Sequence, residues 1–365
     1  MLNLELVELQ TTYTYNKDLC DKLKMIKCKI DDTVDWDKMK KLSNPYELIH
    51  SSTTNCKNNK SIPCVNPISR SYFKLIEIMK IYSLVSTTSS TNMIAVAEGP
   101  GGFIESFICR NKSFEDDRVY GITLPPSTKC IPSWDKLTTL YSTKNLHTSY
   151  GNIYNISEIN TFVSNIRTKS QFITADGGFD YSNDFNGQET QSCRIILAEL
   201  IICFKCQAIG GNFVCKFFDL FNILTVKLVY ILKKLYTNFY IYKPVTSRPA
   251  NSERYIICKG FIGISDELLK NLENILEQWE DDKIYDISGI TLDNEFNNYI
   301  QKHNISFVSN QIKYLDKTLV LTKNNPSKYN YNKIISQQVL NATNWCRMYG
   351  LELNRTSKYL TKYNI

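Results

Sequence analysis

Histidine is almost missing from this chain of 365 residues: His50, His147 and His303 stand far apart in sequence and suggest no ligand set. Uninterrupted apolar runs are lacking too. The longest apolar stretch, residues 217–235, contains Asp219, Lys227, Lys233 and Lys234 and so fails as a membrane span. At the start, Met1-Leu2-Asn3-Leu4-Glu5-Leu6 has neither a basic head nor an unbroken apolar run. No secretory signal is expected, and a soluble cytoplasmic protein is. Glycine is absent from the first 98 residues, and 12 of the 14 fall between Gly99 and Gly263, which confines tight turns to the middle of the chain.

Twelve cysteines in such a context read as reduced thiols. Cys203-x-x-Cys206 has the spacing of a zinc pair, but it lies in a helical run, 194–208, with no second pair or histidine cluster. Buried core thiols are the better reading, and no structural metal is expected. An apolar content of 43% is enough to bury the core of one large domain, or of a medium one with attachments. Net charge is +7 and unevenly placed: residues 264–300 hold ten acids and two bases, residues 301–365 ten bases and two acids. A basic tail of this kind suits RNA phosphates, although a solvated face is the commoner meaning of a charge run.

Hydrophobic period and punctuation predict a strand at 93–97, a glycine turn, and a helix from about Phe103. Further strands are expected at 119–124, 171–175, 212–218, 239–242 and 254–261. Helices are expected at 157–169, at 188–207 with a stop at Gly210-Gly211, and at 220–236. This alternation defines an α/β fold: a mostly parallel sheet with helices on both faces, binding ligands beyond the carboxyl ends of its strands. Three parts follow: a helical flank over 1–60, a core over 61–263 and an extension over 264–365. The first is expected to be helical around 18–29 and 36–41. The last opens with an amphipathic helix at 266–280, and Phe307, Val308, Leu319, Val320 and Leu321 predict that it packs on the core.

Four charged side chains lie in the segments that such a fold brings together: Lys74, Asp176, Lys216 and Glu253. Lys216 sits in an apolar strand between Cys215 and Phe217, where a lysine needs a partner or must be neutralised. A structural ion pair would satisfy it. A general base would too, with its pKa lowered by burial and by Lys74, while Asp176 and Glu253 fix the two ammonium groups. Gly99, Gly101 and Gly102, in Glu98-Gly99-Pro100-Gly101-Gly102-Phe103, are expected to let the backbone pass close to a ligand. The third glycine of G-x-G-x-x-G is missing and Glu98 would repel a pyrophosphate, which favours S-adenosylmethionine over a dinucleotide. Asn152 and Ile153 either hold an adenine edge or form an ordinary turn. Arg248 and Arg254, with Ser252, either grip RNA phosphates or build an ion-pair scaffold.

These segments resemble those of a known family. Ser69-Arg70-Ser71-Tyr72-Phe73-Lys74-Leu75, Glu98 to Phe103 and Ala175-Asp176-Gly177-Gly178 are similar to the first-lysine motif, cofactor loop and aspartate turn of the FtsJ (RrmJ) ribose 2′-O-methyltransferases. Residues 210–221 and 243–260 resemble the cap-specific mRNA branch found in eukaryotes and large DNA viruses. Fainter likenesses lie at Asn44-Pro45-Tyr46-Glu47 and Trp345-Cys346-Arg347-Met348-Tyr349-Gly350-Leu351. The resemblance implies a Rossmann-like methyltransferase fold with a seven-stranded sheet, S-adenosylmethionine as cofactor, and a tetrad of Lys74, Asp176, Lys216 and Glu253. It implies capped RNA as substrate, modified on its first or second transcribed nucleotide, and other capping enzymes as partners. The same chemistry on ribosomal or transfer RNA, or an inactive cap-binding subunit, is the alternative. The Asn, Ile, Lys and Tyr bias points to an AT-rich genome, and with the compact length to a large DNA virus.

Overall fold

The sheet follows from the apolar strands. In this computed structural model, which describes residues 4–363 apart from 12, 32, 51–59, 111–113, 127–131, 143–144, 180, 182–183 and 282, they alternate with helices from residue 93 onward. The chain opens with β1 (Leu6–Glu8), α1 (Lys17–Asp31), α2 (Trp36–Ser43) and α3 (Ser71–Tyr82). Then come β2 (Met93–Val96), α4 (Gly102–Ile108), β3 (Val119–Thr123), α5 (Asp135–Leu140), β4 (Leu146–Tyr150), α6 (Ile156–Ser164) and β5 (Ser170–Ala175). The second half holds α7 (Gln188–Cys206), β6 (Gln207–Phe217), α8 (Ile223–Leu235), β7 (Tyr236–Tyr242) and β8 (Arg254–Phe261). The extension adds α9 (Asp266–Gln278), β9 (Tyr285–Ile287), α10 (Asn294–Lys323), α11 (Lys328–Tyr349) and α12 (Lys358–Tyr363). Part of the expected helical flank, residues 51–59, lies outside the described residues.

Seven strands form one sheet in the order β4-β3-β2-β5-β6-β8-β7. The first five are mutually parallel, and β8 runs against both its neighbours. Successive side chains of a strand face opposite sides, and both sides here are apolar. Ile94 and Val96 enter a core with α6, α7, α8 and α9, whereas Met93 and Ala95 enter another with Leu75 and Ile78 of α3 and Phe103 and Phe107 of α4. That two-sided burial is the reason the parallel strands read as continuous apolar runs.

Two features depart from the sequence reading. Gly210-Gly211 does not stop a helix: α7 already ends at Cys206, and β6 starts at Gln207, its pairing with β5 shifted in register between Ser170 and Phe172. Gly210, at φ +77°, takes up the irregularity inside the strand. Helix α3, for which the sequence reading places no element, packs Tyr72 and Phe73 outward against Val339, Trp345 and Cys346 of α11.

The extension folds onto the core, and α10 joins α1 around Phe221 through Val308, Ile312 and Leu315. Between them lies a buried polar knot. The Asp219 carboxylate accepts from Lys27 of α1 at 3.1 Å, Ser252 Oγ at 2.7 Å and Arg254 at 3.2 Å. Gln311 of α10 donates to Ser252 Oγ at 3.1 Å. Burial opposes the Asp219 charge, but Lys27 and Arg254 win and hold its pKa below the usual carboxylate range. Breaking one partner of a buried pair leaves a charge uncompensated, so Arg254→Met is expected to cost about 3 kcal/mol of stability, read as a lower midpoint in urea unfolding.

Candidate active site

Four elements bring their ends together beyond the carboxyl edge of the sheet. Lys216 is on β6 and Asp176 directly follows β5; because these strands are neighbours, Lys216 Nζ reaches the Asp176 carbonyl at 2.6 Å and its Oδ1 at 3.4 Å. Glu253 immediately precedes β8, and Lys74 comes up from α3 to meet its Oε2 at 2.8 Å. Register connects the two pairs. Lys216 lies opposite Tyr255, whose hydroxyl donates to Asp176 Oδ1 at 3.0 Å. The four side chains are 12–13% exposed. Two lysines and two carboxylates thus converge as the sequence reading expects, and Tyr255, unsuspected there, couples the halves.

The electrostatics differ from expectation in one respect. Burial works against the Lys216 ammonium, yet Asp176, Glu253 and Glu199 more than offset it and hold its pKa above the ordinary lysine value. A base with a lowered pKa is therefore not what the protein alone supplies. Burial likewise opposes the Glu253 charge, and Lys74, Lys243 and Lys216 reverse it, keeping the carboxyl well below its usual range. Glu253 Oε1 is buried and has no hydrogen-bond partner among the described residues. It is an acceptor waiting for a ligand donor.

The glycine turn is also required by the protein's own packing. A Cβ on Gly99 would lie 2.8 Å from the Pro132 carbonyl, one on Gly101 would strike Leu137, and one on Gly102 would come within 2.2 Å of Ser69 and Ser71 Oγ. These glycines make room for protein neighbours and draw α4 against α3. Glu98 caps α4: its carboxylate accepts from the Phe103 N–H at 2.7 Å and the Ile104 N–H at 3.3 Å. A helix N-terminus filled by its own carboxylate does not attract a phosphate. Burial, with Asp176 nearby, pushes the Glu98 carboxyl well up, so a cation arriving here would be welcomed. Glu98 and Asp176 form a pair of neighbouring carboxyl groups that fits the ammonium and sulfonium of S-adenosylmethionine.

Other candidates fall elsewhere. The Asn152 side chain accepts from the Tyr154 N–H at 3.0 Å and its own N–H is held by Glu158, which builds a turn at the end of β4; Ile153 packs into the core. Arg254 is 2% exposed and engaged by Asp219, which is the scaffold alternative and leaves it unable to grip RNA. Ser252 is buried in the same knot. Arg248 pairs with Glu47 at 3.1 Å, but it remains about a third exposed and lines a cavity beside the site. The Cys203 and Cys206 thiols are buried, and no group of three or more metal-binding side chains exists among the described residues.

Sequence reasoning missed two supports, the half-buried Lys243 and the buried Glu199. Lys243 donates to the Glu253 carbonyl at 2.6 Å and to the Asn251 carbonyl and Oδ1 at 2.9 and 2.6 Å, closing the loop that carries Glu253. Glu199, on α7, accepts from the Gly177 N–H at 2.8 Å and fixes the turn after Asp176. A Cβ on Gly177 would sit 2.3 Å from that carboxylate, which is why the turn needs glycine. An acid inside an apolar helix face was the available signal for Glu199.

The fold and the site together define an S-adenosylmethionine-dependent methyltransferase. The FtsJ-like methyltransferase profile matches residues 67–261, more than half of the chain, and the chain belongs to that family of RNA methyltransferases. It is 32% identical over 335 residues to the cap-specific mRNA (nucleoside-2′-O-)-methyltransferase 1 of Mus musculus, covering 80% of this chain and 38% of the mouse protein. A Caenorhabditis briggsae relative named as an inactive cap-specific methyltransferase 1B is 32% identical over 254 residues, 63% of this chain and 29% of its own length. The chain thus spans under two fifths of these relatives. Among solved structures, a ribosomal RNA methyltransferase from Plasmodium falciparum covers 54% of this chain and 99% of its own, at 21% identity and a TM-score of 0.41. Both curated relatives are animal proteins, and the viral source read from composition gains no support from them.

Burial raises the Glu199 carboxyl to about 8, against the opposing pull of Lys216 and the Gly177 N–H. The folded state therefore binds this proton more tightly than the unfolded chain. Its stabilising contribution is complete below about pH 4.5 and is lost as pH rises through 8. Glu199→Gln keeps an acceptor for Gly177 and cannot titrate, so thermal melting of that variant should fall less steeply between pH 5 and 8 than that of the parent. An unchanged slope would remove Glu199 as its source.

Proposed function

We propose that the chain methylates the ribose 2′-hydroxyl of the first or second transcribed nucleotide of a capped RNA, using the Lys74–Asp176–Lys216–Glu253 tetrad. The observation that carries the reading is the convergence of those four side chains around one buried unpartnered oxygen, Glu253 Oε1. Similarity alone would not decide between an active enzyme and an inactive subunit, since a relative named as inactive matches as well.

S-adenosylmethionine, when bound, supplies an activated methyl carbon that needs alignment with the attacking oxygen and no metal. Lys216 Nζ takes the 2′-hydroxyl proton as the oxygen–carbon bond forms and the carbon–sulfur bond breaks. For this Lys216 must be neutral. Asp176 is the main group holding the ammonium, so a cationic ligand sharing Asp176 weakens that hold and frees the base. Lys74 and Glu253 Oε1 position the ribose, the carboxylate accepting a hydroxyl hydrogen bond. Arg248 is the RNA-contacting member of the residues around Glu253.

A cavity of about 170 Å³ supports the capped substrate. It lies between α1, α2, α10 and the loop before β8, lined by Trp36, Lys40, Phe185, Arg248 and Asn251, and touches Ser252, the neighbour of Glu253. Aromatic rings and cations beside a ribose site suit a charged base and its phosphates. The basic tail adds Lys313 and Lys317 on the same helix as Gln311. The substrate's methylated guanosine end must be made first, by other capping enzymes. All ten described cysteines are free, which supports a reducing compartment such as the cytoplasm, and no described helix is long and apolar enough to cross a membrane.

Lys216→Ala should abolish methyl transfer to a short capped RNA, followed by mass spectrometry, while calorimetry finds S-adenosylmethionine binding nearly unchanged. Near-normal turnover would exclude Lys216 as the base. Trp36→Ala should weaken capped RNA by roughly tenfold, the worth of one stacked base, and leave uncapped RNA unaffected; equal losses on both RNAs would remove the cavity as a cap site.

A further inference from the structure

We infer that Glu77 is a positioning residue for the methyl transfer, an inference that rests on the proposed reaction. Glu77 is fully buried on α3, three residues along the helix from Lys74. Its Oε1 accepts from the Val245 N–H at 2.8 Å and from the Tyr242 hydroxyl. Its Oε2 accepts from the Thr246 N–H at 3.3 Å, Thr246 Oγ1 at 3.0 Å and Trp345 Nε1 at 3.3 Å. No lysine or arginine pairs with it among the described residues. A buried carboxylate without a cation is costly, and here five neutral donors from β7, the following loop and α11 offset that cost.

Those donors sit at one end of the segment that carries Glu253 at the other. Helix α3 therefore grips the segment twice, through Glu77 at residues 245–246 and through Lys74 at Glu253. The second grip is the tetrad's own ion pair. If the first slips, Lys74 and Glu253 lose their common frame. Trp345 strengthens the frame by a second route, packing edge-on against Phe73, the neighbour of Lys74, with ring centroids 5.8 Å apart. Neither Glu77 nor Thr246 touches the reacting atoms, and both act through the distance between Lys74 and Glu253.

The test compares single-turnover methyl transfer to a short capped RNA at saturating S-adenosylmethionine in three variants. Glu77→Gln turns one acceptor oxygen into a donor facing donors. Thr246→Val keeps the shape and removes one donor, and Thr246→Ser restores the hydroxyl. Glu77→Gln should lower kcat by roughly 10- to 100-fold, the scale set by misplacing reacting groups by about 1 Å, with KM for RNA and the cofactor Kd within about twofold of the parent. Thr246→Val should lose several-fold in kcat, and Thr246→Ser should recover it. Should Glu77→Gln prove unfolded, the Thr246 pair decides alone. Wild-type kcat in Thr246→Val, equal losses in the two Thr246 variants, or losses confined to KM would overturn the inference. A parent protein with no activity on capped RNA would end the proposed reaction and this inference with it.

Discussion

Two ammonium groups and two carboxylates are buried at one edge of the sheet, and each charge is tolerable only because the others are there. An isolated charge moved from water into such a site costs several kcal/mol even after relaxation. Lys74 is matched by Glu253 at 2.8 Å and Lys216 by Asp176, with Tyr255 joining the pairs. The arrangement constrains the fold as much as the fold constrains it. Strands β5, β6 and β8 must be neighbours for Asp176, Lys216 and Glu253 to meet, and α3 must cross beneath them to deliver Lys74.

The second constraint is the loop between β7 and β8, which has no regular structure of its own and must nevertheless place Glu253 accurately. It is clamped from every side. Lys243 closes it at the base, Glu77 holds residues 245–246, and Arg70 donates to the Thr246 carbonyl at 3.0 Å. Glu47 takes Arg248 at 3.1 Å, and the Asp219 knot takes Ser252 and Arg254. The clamps come from both chain ends: Glu47 and Lys27 from the first 50 residues, Trp345 and Gln311 from the last 60. The faint likenesses at Asn44–Glu47 and around Trp345 thereby gain a physical meaning, since both segments brace the catalytic loop.

Much of this was legible in the sequence, and the misses share a cause. Alternation of apolar strands and helices gave the sheet, because burial on both faces leaves an unmistakable pattern. Lys216 was legible because a charged residue in an apolar strand demands a partner, and the resemblance implied the other three members of the cluster. Arg254 was left between two roles although the same period-2 rule settles it: if Glu253 and Tyr255 face the site, Ser252 and Arg254 face away, toward Asp219. Glu77 and Lys243 were missed because no spacing of residues announces partners that are loop amides, carbonyls and neutral side chains. The packing role of the glycines was hidden for a related reason. Composition shows that a side chain is missing, but only coordinates show whether a ligand, or Leu137 and Pro132, fills the space.

The charge balance at the strand ends bears on why a cationic methyl donor suits this site. Without a ligand, Glu98 is pushed up by burial, while the carboxylates around Lys216 keep it an ammonium. Both groups are held in the protonation state opposite to the one that an arriving cation favours. A sulfonium with its own ammonium, held by these acids, would reverse both tendencies at once, stabilising the Glu98 carboxylate and competing with Lys216 for Asp176. On the proposed reaction, cofactor binding and activation of Lys216 would be one electrostatic event, confining proton abstraction to complexes in which the methyl group is already present. Such coupling needs no moving part, only acids shared between the donor and the lysine across a dry gap.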